Sequence, residues 1–318
     1  MNDAVYKQIY LSMLRIRFTE EKIVDVYGQQ TMRTPTHLSI GQEAVAAAVC
    51  QALRPDDQVF VSHRCHAAYL ARGGDLEAFF SELCGRVTGT SRGRAGSAHL
   101  SSVDKYVFAS PILGSMIPVA VGAALSFTMD QKDRISVALF GDAAVEEGVF
   151  AESLNFAVLK KLPVLFICEN NTYSTHSPLR VRQPSSAIYE RVRIPELPAF
   201  QIDGNDAVGL YETVSGLVSG VRQGGGPVFV ECLTYRIREH VGPLYDYDRG
   251  YRDREEVESW MKRCPLKRME TYLLGQGILT ADDVALLRRD CQAQADAAYA
   301  AALNSGWPAA EELRQNIY

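Results

Sequence analysis

Residues 141–173, GDAAVEEGVFAESLNFAVLKKLPVLFICENNTY, constrain this chain more than any other stretch. The run RISVALFGD, ending at Asp142, is apolar and β-branched before a Gly-Asp stop, which predicts a buried strand. Glu146 to Lys161 carries Val149, Phe150, Leu154, Phe156, Ala157 and Leu159 at helical spacing. Acids stand at its front and Lys160 and Lys161 at its rear, as the helix dipole prefers. Leu162 to Cys168 is a second apolar strand that stops at Glu169-Asn170-Asn171.

Strand, helix and strand at this length make a βαβ unit with a right-handed crossover and two parallel strands. Their carboxyl ends open on one edge of the sheet, where open α/β sheets bind ligands. Asp142 ends one strand and Asn171 follows the other. A carboxylate, an amide oxygen and a backbone carbonyl are hard ligands suited to Mg²⁺ or Ca²⁺. The amides of Ala143 and Ala144 stand near a helix start, a position that favours phosphate. The competing reading is that Asp142 only caps the next helix.

The remaining segments support an α/β chain with a helical tail. A long amphipathic helix is expected over 4–29, packed on its own domain or in a subunit contact. A loop over 34–41 leads to an alanine-rich helix over 42–53 and a short strand over 58–62. His63, Arg64 and His66 stand at that strand's end, and a helix is expected over 70–83. Residues 85–99, GRVTGTSRGRAGSAH, are glycine-rich with no strand leading into them, so they read as a flexible loop rather than a dinucleotide turn. Residues 108–127 begin extended and become a buried small-residue helix after Pro118. Residues 178–194 read as a mobile loop, 200–203 as a strand, 206–222 as a helix and 228–236 as another strand. A charged, aromatic loop spans 239–252, and helices are expected over 253–263, 265–276 and 280–302. Thr280 with Asp283 resembles a capping box. All 318 residues read as one domain, with an α/β core over about 34–238, the loop 239–252 and a helical C-terminus over 253–318.

Composition narrows the class. With 47% hydrophobic and 22% charged residues the chain has an ordinary globular balance, and its net charge of −5 argues against a nucleic-acid surface. No apolar stretch reaches the eighteen residues of a membrane span, and the N-terminus reads as a helix rather than a signal peptide. The seven cysteines are scattered without a CxxC pair, and Cys65, Cys168 and Cys232 read as reduced core thiols, so a cytoplasmic location is expected.

The Gly-Asp pair followed some thirty residues later by Asn-Asn resembles the thiamine diphosphate motif, with Ala143 in place of its second glycine. The resemblance extends through MLRIRFTEEKI, HLSIGQEAVAAAVCQALRPDD, SHRCHAAYLARG, GRAGSAHL, SPILGSMIPVAVGAAL and GPVFVECLTYR. Over nearly its whole length the chain is similar to the alpha subunit of the thiamine-diphosphate-dependent first component of 2-oxo acid dehydrogenase complexes. That resemblance implies a parallel-sheet thiamine diphosphate-binding fold. It implies Mg²⁺ held by Asp142, Asn171 and the Tyr173 carbonyl, and a diphosphate held by the Ala143 and Ala144 amides, Arg64 and Arg236. His63 replaces the family's tyrosine before Arg64, and the backbone near Leu113 would meet the aminopyrimidine. His66 and His240 match two active-site histidines facing a small 2-oxo acid substrate. Histidine suits that work because its free pKa lies near neutrality.

Two departures carry consequences. In REHVGPLYDYDRGYR, His240 is flanked by Glu239 and Val241 instead of Gly and Ser, and the serine phosphorylated in some members is missing. Such control is not expected, and the acceptor is left open between a lipoyl-bearing acyltransferase and a carbonyl or sugar acceptor of a carboligase. No glutamate aligns with the carboxylate that activates the thiamine ring; Glu146, Glu147 and Glu169 read as helix-start and turn residues. The resemblance therefore implies a beta subunit that supplies it, in an assembly of two alpha and two beta chains.

Overall fold

The computed structural model describes residues 2–315 apart from 33 and 193; the ends of the 1–318 extent and of the 253–318 segment fall outside the described residues. Six parallel strands form one sheet: β1 Gln58–Val61, β2 Val107–Ala109, β3 Ser136–Gly141, β4 Val164–Asn170, β5 Ala199–Asp203 and β6 Val228–Leu233. Their spatial order is β2-β1-β3-β4-β6-β5. The chain leaves β1 toward β2 on one side and returns across it to β3 on the other. The crevice between β1 and β3 is therefore a topological switch point, where ligands of open α/β sheets bind.

Every residue of β4 is buried, as a strand covered on both faces requires. The faces alternate. Val137, Leu139, Leu165 and Ile167 enter the core shared with α1 (Asp3–Val26), α2 (Glu43–Gln51) and later helices. Ala138, Phe140, Phe166 and Cys168 enter a second core on the opposite face. That second layer comes from α5 (Met116–Met129) and α6 (Gly148–Lys160), which follow α3 (His66–Ala71) and α4 (Leu76–Leu83) in the chain. Two one-turn helices come next, α7 (Leu179–Arg182) and α8 (Ile188–Arg191), and then α9 (Ala207–Gly220). The tail is α10 (Arg254–Lys262), α11 (Pro265–Gly275) and α12 (Ala281–Asn304). The long first helix buries its apolar face within its own chain, against α2, α11 and α12. The expected capping box is present at Thr280 and Asp283.

Several expectations are corrected. The helix expected over 70–83 is two helices split at Gly73-Gly74, because Gly73 adopts φ +79 and a Cβ on Gly74 would meet the Tyr69 ring at 2.3 Å. Segment 178–194 contains α7 and α8 instead of an irregular loop. The acidic turn after β3 is a 3₁₀ turn over Asp142–Glu146, so α6 starts at Gly148. The glycine-rich loop is held by one buried carboxylate: Glu82 accepts from the amides of Ser91, Gly93, Ala95 and Gly96. All seven cysteines are free.

At the amino-terminal edge of the sheet, fully buried Asp57 accepts from the amides of Arg54 (2.8 Å) and Ile135 (2.9 Å) and from Arg222 Nη2 (2.6 Å). It ties the start of β1 to the start of β3 and to the turn after α9. Asp57→Ala leaves the Arg222 guanidinium without its buried partner and is expected to destabilise the chain by about 3–5 kcal/mol in denaturant unfolding.

Candidate active site

A cavity of about 370 Å³ opens at the carboxyl edge. His63 and Arg64 reach it from beyond β1, Gly141, Asp142 and Ala143 from the end of β3, and Glu169, Asn171 and Tyr173 from the end of β4 and after it. His37, Leu113 and His240 enter on loops. The β3–β4 register pairs Gly141 with Glu169, which sets the two strand ends level. Asp142 and Asn171, far apart in sequence, thus share one wall.

Asp142 is buried, and desolvation pushes its carboxyl pKa up while Arg182 opposes the shift. The Arg182 guanidinium pairs with both Asp142 and Glu146. In this structure the cation that offsets the burial of Asp142 is the Arg182 guanidinium. Asp142, Asn171 and Tyr173, the residues the resemblance implies for a metal, all line this cavity.

Three imidazoles also line the cavity. The His37 ring centroid lies 4.7 Å from that of His63 and 5.1 Å from that of His240, and His63 lies 5.5 Å from His240. One nitrogen from each can be chosen so that all lie within 4.8 Å, close enough for the group to be considered as metal ligands. Burial, reinforced by the Arg64 charge, depresses their pKa values to about 2 for His37, about 4 for His63 and about 3 for His240. All three are neutral at pH 7, so the cluster offers neutral donors and acceptors and not the near-neutral titration expected from free histidine. Arg64 is itself buried, donates to the Leu38 carbonyl at 2.5 Å, and is pulled down to about 10 by burial and by Arg236.

Three expected site residues stand behind the wall. His66 is fully buried, its ring nitrogens bonded to Glu20 (3.1 Å) and Ser97 (2.7 Å). Arg236 is fully buried as well; it donates to the Thr175 carbonyl (2.6 Å) and pairs with Asp246 (3.1 Å). Asp246 also accepts from Arg252 and Tyr251, so one carboxylate organises the loop carrying His240. Ala144 is buried beside Ala143, which does line the cavity.

Two ionisable wall residues were not expected from sequence. His37 lies within HLSIGQEA, and its side chain has no periodic signal to mark it. Glu169 reads as a turn residue, yet it is the penultimate residue of β4 and faces the cavity. Burial raises its pKa to about 7, against the lowering effect of Arg64.

The fold and cavity define an α/β protein with a ligand site at the carboxyl edge of a parallel sheet. The sequence matches the family described as dehydrogenase E1 component over residues 11–311. It is 31% identical over 312 residues to the alpha subunit of acetoin:2,6-dichlorophenolindophenol oxidoreductase of Bacillus subtilis, covering 98% of this chain and 92% of that one. It is 35% identical over 316 residues to the pyruvate dehydrogenase E1 component subunit alpha of Zymomonas mobilis, covering 98% and 87% respectively. The corresponding subunit of Rickettsia typhi is 32% identical over 314 residues, with 98% and 95% covered. The chain therefore belongs to the dehydrogenase E1 component family, as an alpha subunit of a thiamine-diphosphate-dependent 2-oxo acid dehydrogenase.

Glu169 makes a pH signature. Its carboxyl binds a proton in the folded chain up to about pH 7, whereas its unfolded value is 4.5. Stability from this group is fully present below 4.5 and lost as pH rises through 7. Glu169→Gln, which resembles the protonated side chain, is expected to raise the melting temperature at pH 8 by on the order of 5 °C, the gain shrinking to nothing as pH falls toward that of the free carboxyl. Calorimetric melting across that pH range checks the sign.

Proposed function

We propose that this chain holds thiamine diphosphate and Mg²⁺ at the cavity and, with a beta subunit, decarboxylates a small 2-oxo acid and passes the acyl group to a lipoyl carrier. The observation that carries the reading is Asp142 and Asn171 on one wall, with a buried carboxylate that needs a cation. When bound, the cofactor supplies the electron sink for decarboxylation. Asp142, Asn171 and the Tyr173 carbonyl would hold the metal. The Ala143 and Ala144 amides open a 3₁₀ turn at the strand end and would meet the diphosphate with the Arg64 charge and His63. The backbone at Leu113 would contact the aminopyrimidine.

His240, with His37 beside it, would face the substrate as a neutral donor or acceptor. His66 and Arg236 would act through the wall, His66 by fixing Ser97 and Arg236 by fixing Thr175. Neither touches the cavity, so their roles are positional.

The carboxylate that acts on the aminopyrimidine comes, in this reading, from the beta chain of an assembly of two alpha and two beta subunits. An apolar rim beside the cavity supports a partner there: Ile112, between the cavity-lining Pro111 and Leu113, is 65% exposed. Leu113, on the cavity wall, continues that rim. Among the described residues no helix is long and apolar enough to cross a membrane, and the free buried thiols fit a reducing cytoplasm.

Asp142→Ala is expected to abolish thiamine diphosphate binding in calorimetry of the assembled complex; undiminished affinity refutes the metal assignment. The wild-type pair is expected to acylate lipoamide from a 2-oxo acid. Ligation to carbonyl acceptors without lipoamide acylation would instead make it a carboligase.

A further inference from the structure

We infer that Gln42 is a positioning residue for the metal: it sets the Asn171 amide so that Oδ1, and not Nδ2, is free to face the ion. This rests on the functional reading above. Asn171 Nδ2 donates to Gln42 Oε1 at 2.9 Å, across 129 residues of sequence. Both side chains are buried, Gln42 fully. On its other side Asn171 Oδ1 accepts from the Tyr173 amide at 3.3 Å. Rotating the Asn171 amide by half a turn would set two donors against each other at Tyr173 and two acceptors at Gln42. Rotating Gln42 with it cures only the second conflict.

Gln42 keeps this orientation although its own Nε2 is buried with no partner. An unmatched buried donor is disfavoured, so its retention calls for a reason. The reason is on the other atom of the same amide, the Oε1 that Asn171 needs.

The backbone brings Gln42 to this place. Gly41 has φ +99, and a Cβ there would lie 2.6 Å from the Tyr235 carbonyl oxygen, so only glycine lets the loop press against the extension of β6. Ile237 donates to the Ile40 carbonyl at 3.0 Å, and Thr234 donates to the Asn170 carbonyl at 3.0 Å. The Gly41-Gln42 pair is thereby carried next to the end of β4. Ligand-orienting partners of this kind typically change metal affinity by about 10–100-fold when removed.

The test measures Mg²⁺ affinity of the assembled complex with the beta subunit by calorimetry at saturating thiamine diphosphate, with melting of the ligand-free complex as the control for folding. Gln42→Met, which keeps length but loses the acceptor, is expected to weaken Mg²⁺ binding about 10–100-fold. Gln42→Glu retains an acceptor and is expected to stay within about threefold of wild type. In an Asn171→Asp background the carboxylate has no orientation to choose, so adding Gln42→Met is expected to change affinity less than about threefold. Equal binding by Gln42→Met and wild type overturns the inference alone. So does an equal loss in Gln42→Met and Gln42→Glu, or an undiminished Gln42→Met loss in the Asn171→Asp background. A wild-type complex that binds no Mg²⁺ with thiamine diphosphate overturns the functional reading as well.

Discussion

The parallel pairing of β3 with β4 is the constraint on which the rest of the site depends. Its register, Ser136 with Val164 through Gly141 with Glu169, ends both strands at one level. Were the register slipped by one residue, every side chain of one strand would change face and Phe166 would leave its core. The two apolar cores therefore lock the register, and the register sets Asp142 against Asn171. The polar edge inherits its geometry from apolar packing several residues away.

Charge compensation is the second theme. The cavity wall carries Asp142 and Glu169 with Arg64, and behind it Arg236 faces Asp246 and Glu20 faces His66. Arg236 with Asp246 is a fully buried ion pair, the kind of pairing a buried charge needs. Asp142 is answered by Arg182, from α7. The segment expected to be irregular is thus tied by an ion pair to the strand end that a metal would need.

The βαβ unit, the strand ends and the helical tail are legible in the sequence because each is marked by apolar periodicity and Gly, Pro or Asn stops. Asp142, Asn171, His63 and Arg64 are also legible, since residues just past a strand's carboxyl end face a common edge, and His240 is legible through the family resemblance. Which neighbour lines the cavity is not legible. Ala143 faces it and Ala144 does not; Glu169 faces it although it looks like a turn residue. His66 and Arg236 have the right chemistry in the right motifs and still stand one layer back, because α3 and the Asp246 cluster hold them there. His37 and Gln42 come from a loop whose meaning depends on Gly41 pressing against residues almost two hundred positions later.

By itself the sequence determined the class of fold, the edge of the sheet that binds and the oxygen and cationic groups available there. These follow from local periodicity and from the handedness of βαβ crossovers, which need no long-range information. Only the tertiary structure decided which of those groups share a wall, which are held behind it, and that the three histidines are neutral. Those properties depend on desolvation and on contacts between segments distant in sequence, and burial shifts a pKa only once the chain has closed around the group.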